Sequence, residues 1–237
     1  MGDGEDRGLE VTPHAAGPWL VRMGDRRFVV TPEVGRCLAA GAVPADLLAG
    51  MGEGPPPRRS RPIWVRKTIL SEEATTKLSK TLTPWAEIYC LAFSALLGAL
   101  AYLVVDWRLV PPSGFGGWLA GFGLIFATAL WHELGHAAAL QREGYPPGGI
   151  GVGILFVVPV LWADVTPVAA VPRRHRLRVD LAGVWFQLGA GGLCVVLAAS
   201  EGPGAAAFGM GAAGALAAVI WSLLPFMRTD GYWALCD

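Results

Sequence analysis

The hydrophobic and polar positions divide the chain into a polar N-terminal part and a long apolar remainder. Apolar runs near the 20 residues that cross about 30 Å of hydrocarbon predict four transmembrane helices, at about 86–105, 115–140, 179–199 and 205–226. A further apolar stretch, 148–165, is shorter, rich in glycine and β-branched residues, and interrupted by a proline. We expect this stretch to be a re-entrant loop or a β-like segment rather than a fifth span.

The N-terminal part is expected to contain one small folded unit. Residues 1–17 are polar and are predicted to be a disordered start, and residues 18–51 a small α+β module. Within the module, "WLVRMGDRRFVV" alternates and turns like a β-hairpin, and the following segment is typical of short helices. Residues 52–62, "GEGPPPRRSRP", form a linker, which leaves 63–237 as the membrane domain.

Composition agrees with this division. Hydrophobic residues make up 53% of the chain and charged residues only 16%, whereas soluble domains carry about 25% charged residues. The predicted fold class is an all-α polytopic membrane protein with about four transmembrane helices, the re-entrant or β-like segment, and a cytosolic α+β module. The formal net charge is zero, so nucleic acid is not an expected partner, whereas membrane lipid is.

Positive residues cluster before the first and the third predicted spans. These residues are Arg58, Arg59, Arg61, Arg66, Lys67, Lys77 and Lys80, and then Arg173, Arg174, Arg176 and Arg178. If 148–165 returns to the side that it left, both clusters face the cytoplasm, as the positive-inside rule requires. The same topology brings Asp230, which follows the fourth span, to a depth similar to that of the histidines in the second span.

The second span contains the sequence "WHELGHAAAL", in which polar groups interrupt an apolar run. His132 and His136 are four residues apart, so both imidazoles share one helix face and can bind one metal ion. Glu133 lies close to that ion without occupying a ligand position, and it can take a proton from water. Because ionisable residues inside a membrane helix usually mark a functional site, this motif predicts a hydrolytic metal centre.

A catalytic zinc ion usually has three protein ligands. The other two histidines are poor candidates, since His14 lies in the N-terminal part and His175 lies in a basic segment. A carboxylate is therefore expected as the third ligand. Asp230 is the preferred residue and Asp164 is the second choice, although Asp230 could also serve as a plain helix cap.

The combination of "WHELGHAAAL" with the later "LLPFMRTDGYW" resembles the site-2 protease family of intramembrane zinc metallopeptidases, and the likeness covers about 61–237. The resemblance implies that His132, His136 and Asp230 bind Zn²⁺ and that Glu133 is the general base. It also implies that the segment after the motif helix pairs with a substrate strand. "DGYW" resembles the bacterial branch found with ribosomally made, modified peptides. The expected substrate is then a membrane-associated or leader-bearing peptide, and the location is the bacterial plasma membrane.

Two departures from the family pattern keep other functions open. Leu224 stands where the family has asparagine before the proline, and the chain ends soon after Asp230, where relatives continue with more helix. The chain is therefore expected to be either a truncated product or a fragment, in which Asp230 would be poorly held. These features favour, as the alternative, a non-catalytic membrane scaffold or peptide-binding partner with a decayed metal site.

Two further interpretations concern other parts of the chain. Runs of small residues such as "GAGG" and "GMGAAGALAA", together with the re-entrant segment, are compatible with a transporter, but close helix packing explains the runs more simply. The module at 18–51 faintly resembles the small leader-peptide-binding domains of peptide-modifying pathways, the alternative being a plain cytosolic cap. The sequence does not predict an oligomeric state.

Overall fold

A computed structural model gives the fold. It describes residues 9–13, 19–23, 26–30, 32–40, 63–155, 157–200, 202–226 and 229–237. The predicted linker at 52–62 and the predicted turn between the two hairpin strands lie outside the described residues. The elements described below are numbered in chain order.

The N-terminal module is an antiparallel sheet with one helix. Its strands pair in the order β1-β2-β3, and the elements are β1 (Leu9–Thr12), β2 (Trp19–Met23), β3 (Arg26–Val30) and α1 (Pro32–Ala39). The predicted hairpin is confirmed, and its core consists of Val21, Val30 and Leu38. The prediction of disorder was wrong for residues 9–12. Pairing with β2 supplies the backbone hydrogen bonds that this polar segment cannot make alone.

The module lies against the helical domain. Val29, on β3, packs against the buried cluster around Ala138 and Leu140 of the motif helix. An ion pair joins the Arg22 guanidinium to Glu72 at 2.8 Å. The module is therefore in contact with the same core cluster that buries the end of the motif helix.

A second antiparallel sheet belongs to the C-terminal domain and departs from the all-α prediction. Its strands are β4 (Ile63–Leu70), β5 (Ile150–Leu155) and β6 (Val158–Ala163), in the order β4-β5-β6. The β-like prediction for 148–165 is thus confirmed as a hairpin. Its outer strand, β6, contains Pro159, which suits an edge strand because proline cannot donate a ladder hydrogen bond.

Helices make up most of the C-terminal domain. They are α2 (Glu72–Leu82), α3 (Ile88–Val104), α4 (Gly114–Arg142), α5 (Arg173–Ala199), α6 (Ala205–Leu223) and α7 (Asp230–Cys236), with 3₁₀ turns at Thr83–Ala86 and Thr166–Ala170. Among the described residues, α4, α5 and α6 are each long and apolar enough to cross a membrane. The expected first span differs, because only α2 and α3 together qualify, with a bend of 81° between them.

α5 packs against α3, α4 and α6 and so forms the centre of the domain. The runs of small residues lie at these contacts. A Cβ added at Gly98 of α3 would lie 2.2 Å from the Leu188 carbonyl oxygen, and one at Gly214 of α6 would lie 2.5 Å from Ile125. The interpretation of these runs as close helix packing is therefore supported.

The motif helix α4 changes character along its length. Its first half exposes large apolar side chains, including Phe115, Leu119 and Phe122, whereas it is buried from His132 to Leu140. The helix ends in a Schellman motif. Gly144 has a φ of 88°, and the Tyr145 amide donates to the Leu140 carbonyl. The chain then turns directly into the β5–β6 hairpin.

Candidate metal centre

The two motif histidines lie one turn apart on α4 and are each 6% exposed. Their Nε2 atoms are 3.1 Å apart. Glu133 is 9% exposed and follows the first histidine directly. The predicted motif helix is confirmed, and it directs two imidazole nitrogens to one point inside the protein.

The third member of the cluster comes from the distant end of the chain. Leu224 precedes Pro225 and takes an extended conformation with ψ of 119°, which ends α6. Asp230 begins α7. Its Oδ2 atom lies 3.0 Å from His132 Nε2, and its Oδ1 atom lies 3.5 Å from His136 Nε2.

These three residues form a group that could hold a metal ion. One ligand atom from each residue lies within 4.8 Å of the other two, and all three residues are buried. Although burial alone would raise the pKa of the Asp230 carboxyl, the neighbouring His136 and His132 hold that pKa well below its usual range. The carboxylate is therefore ionised, as a metal ligand must be.

α5 orients the histidines. His136 Nδ1 is 2.6 Å from the Val179 carbonyl oxygen, so it donates to that oxygen and leaves Nε2 facing Asp230. One turn later, a Cβ added at Gly183 would lie 2.3 Å from His136 Nε2 and 2.8 Å from His132 Cδ2. Sequence reasoning missed both positions. The only signal was a glycine in "VDLAGVWFQ", and its significance depends on where the histidines lie.

The turn before α7 is tightly packed. The Thr229 hydroxyl donates to the Leu224 carbonyl at 3.1 Å. A Cβ added at Gly231 would lie 2.4 Å from the Leu223 carbonyl oxygen. Only glycine permits this approach of α7 to the end of α6.

The prediction of a poorly held Asp230 was wrong. Asp230 is 7% exposed, and the far end of α7 is fastened to α5. Arg173 donates from Nε to the Asp237 backbone carbonyl, and an Arg176 guanidinium nitrogen lies 3.3 Å from the Asp237 carboxylate. A helix of this length is marginal alone, but these tertiary contacts hold it.

The other candidate ligands lie outside the cluster. Asp164, the second choice, accepts hydrogen bonds from the Thr166 hydroxyl at 2.6 Å and the Thr166 amide at 3.1 Å, and so caps a turn. His175 lies 2.8 Å from Glu143, which also binds Arg178 at 3.0 Å. The basic segment that contains His175 is thus the first part of α5 and not a loop.

A cavity of about 560 Å³ adjoins the metal centre. His132 and Glu133 form part of its wall, and most of the remaining lining is apolar. The edge strand β6 contributes Val158 and Val160, and α6 contributes Trp221. Glu133 therefore lines a space that is large enough for a peptide segment, next to a strand whose outer edge is paired with no other described strand.

In the part of the chain that the structure describes, the fold is mostly helical, with three membrane-length helices and a buried His-His-Asp group that could bind a metal ion. No protein-family model, curated protein or solved structure matches the chain.

Proposed function

We propose that this chain is an intramembrane zinc metalloendopeptidase of the site-2 protease type, which hydrolyses a peptide bond in a membrane-associated or leader-bearing peptide. One observation carries the proposal. His132 and His136 converge on Asp230, while Glu133, between them in sequence, faces the adjoining cavity. The cavity proposed to hold the substrate therefore adjoins both the proposed metal ligands and the proposed base.

The donor set suits zinc. Two imidazole nitrogens and one carboxylate are a usual ligand set of catalytic zinc sites, which leave a further position open. The contact from His136 to the Val179 carbonyl is the type of support that orients a zinc-binding histidine. His132, His136 and Asp230 would hold the zinc ion, which would supply a Lewis acid for polarising water and the substrate carbonyl.

Glu133 is the general base in this proposal. It accepts a proton from the attacking water as the water oxygen bonds to the carbonyl carbon of the peptide. Glu133 then delivers that proton to the amide nitrogen as the carbon–nitrogen bond breaks. The products are a new carboxyl group and a new amine, and Glu133 is regenerated.

The edge strand β6 provides a means of holding the substrate. β6 pairs with β5 on one side, and among the described residues no strand pairs with its other side. Val158 and Val160 of β6 line the cavity beside Glu133. An extended peptide that pairs with β6 would keep its backbone straight and accessible to hydrolysis.

The proposal places the site in a bacterial plasma membrane, toward the cytoplasm. Membrane lipid would cover the exposed apolar side chains of α4 and α6, such as Phe115, Leu119 and Ile220. The basic start of α5 lies at the metal-centre end of the bundle, because Glu143 at the end of α4 contacts His175 and Arg178. Positive residues at that end favour the cytoplasmic side.

The N-terminal module could capture the leader segment of such a substrate. Its contact with the cluster around Ala138, through Val29, would keep a captured leader near the motif helix. A module that serves only as a cap would leave cleavage unchanged when it is removed.

The experiment is hydrolysis in ¹⁸O-labelled water. The zinc-loaded protein in liposomes is incubated with a panel of single-span peptides, and the products are analysed by mass spectrometry. We expect wild type to release fragments with ¹⁸O in the new carboxyl group. Glu133→Gln should retain zinc and lose roughly 10²–10⁴-fold in rate.

The same experiment separates the alternatives. A scaffold with a decayed site would release no labelled fragments from any peptide. Cleavage that survives in Glu133→Gln would exclude Glu133 as the base. A transporter would move its cargo equally well after zinc is removed with a chelator, whereas the protease should lose activity and regain it when zinc is returned.

A further inference from the structure

A further buried polar side chain, that of Gln187, lies near the metal centre. Gln187 lies on α5, is 2% exposed and lines the same cavity as Glu133 and His132. Within the described part of the chain, its side-chain amide has no hydrogen-bond partner. Its amide atoms are not among the fully enclosed unpaired polar atoms of the described residues, so they open onto the cavity, where a bound molecule can pair with them.

Gln187 lies on the face of α5 that contacts the two histidines. Val179, Gly183 and Gln187 are four residues apart in succession and therefore lie on one helix face. The first of them accepts the hydrogen bond from His136, and a Cβ on the second would collide with both histidine rings. Gln187 lies about one turn further, roughly 5.4 Å along the helix, where the cavity begins.

The cavity around this amide is mostly apolar. Phe126 and Ala129 of α4, Val160 of β6 and Ala218 of α6 are among its lining residues. In such surroundings an amide hydrogen bond is electrostatically stronger than it is in water. A substrate backbone that enters the cavity would bring its own carbonyl groups, which are the partners that Gln187 lacks.

We propose that the Gln187 side-chain amide donates a hydrogen bond to the carbonyl oxygen of the scissile peptide bond. This inference rests on the proposed protease function. As the water oxygen bonds to the carbonyl carbon, the π electron pair moves onto that oxygen, and Gln187 stabilises the negative charge. The pair returns to re-form the carbonyl when the carbon–nitrogen bond breaks. Gln187 is not consumed and transfers no proton.

The test compares Gln187→Met, which keeps the side-chain length and removes the amide, with wild type. Thr128→Val is the matched control, because the Thr128 hydroxyl is also buried but donates to Ile125 within its own helix. Zinc content and thermal stability are measured for each protein. Two peptide probes with apolar side chains follow, one with a phosphinate in place of the scissile amide and one with a zinc-binding thiol.

We expect Gln187→Met to bind one zinc ion, to bind the thiol probe as wild type does, and to bind the phosphinate roughly 100-fold more weakly. Its kcat for the peptides that wild type cleaves should fall by a similar factor. Thr128→Val should bind both probes normally.

Two results would overturn the inference. In the first, Gln187→Met binds the phosphinate as tightly as wild type does. In the second, it loses zinc or binds both probes weakly, which means that Gln187 has only a structural role. Failure of the proposed function is recognised separately, because wild type would then release no ¹⁸O-labelled fragment. The two probe affinities would still decide the role of Gln187.

Discussion

The carboxylate of Asp230 lies 3.0 Å from Nε2 of His132, although α5 and α6 separate the two residues along the chain. This contact joins the start of the short helix α7 to the middle of the motif helix α4. Both residues are buried, so the packing of the surrounding elements determines the contact. The contact requires α5 to pack closely against the histidines and α7 to be held against α5.

Gly183→Ala should disturb the histidines. The new Cβ would lie 2.3 Å from His136 Nε2, so the ring must leave its present position beside Asp230. We expect zinc affinity to fall roughly 10–100-fold, measured by competition with a chromogenic chelator. Gly123→Ala on α4 is the control, because a Cβ there meets nothing within 4 Å. Wild-type affinity in Gly183→Ala would refute the packing described here.

The contacts of α5 with α7 should support Asp230 from a distance. The double variant Arg173→Gln/Arg176→Gln removes both guanidinium contacts to Asp237. Because α7 is short, we expect it to fray and zinc affinity to fall roughly tenfold, while His132 and His136 remain in place. The measurement is zinc affinity by competition together with hydrogen exchange at the α7 amides.

Arg174→Gln serves as the control for charge, because Arg174 is exposed on the same turn of α5. Equal loss of zinc affinity in Arg174→Gln would attribute the effect to net charge. Unchanged exchange at α7 in the double variant would show that the arginines do not hold this helix.

The stability of the contact between the end of α4 and the start of α5 should depend on Glu143. Its side chain is 11% exposed and binds both His175 and Arg178. Glu143→Gln should lower the free energy of unfolding by about 2 kcal/mol, since hydrogen bonds to charged groups are lost from a largely buried position. Denaturant unfolding in detergent micelles measures this. Glu73→Gln, which breaks the exposed pair with Lys77, should have little effect, and an equal effect would contradict the prediction.

The histidine pair and the depth of Asp230 could be predicted from the sequence, because they follow from local spacing and from the distribution of charge. The spacing of His132 and His136 defines a shared face on any helix, and the charge distribution placed Asp230 at their depth. The β-like alternative predicted for 148–165 was correct in outline, because glycine and β-branched residues within a short apolar run disfavour a spanning helix, but the pairing of β5 with β6 was not predicted.

The remaining features depend on contacts between distant segments. β4 contains charged residues in its middle and becomes a strand by pairing with β5, far along the chain. α7 is too short to be stable by itself and is held by arginines of α5. Gly183 and Gln187 look like ordinary residues of an apolar helix until the neighbouring helix and cavity are known.

The most direct test of the metal centre is the zinc content of the purified protein, determined by plasma mass spectrometry. The account predicts about one zinc ion per chain in wild type, its loss in His132→Ala and strong weakening in Asp230→Ala. Asp164→Ala should retain zinc, because Asp164 caps the turn at Thr166. Wild-type protein that binds no zinc, or Asp230→Ala that binds it as tightly as wild type, would contradict the account.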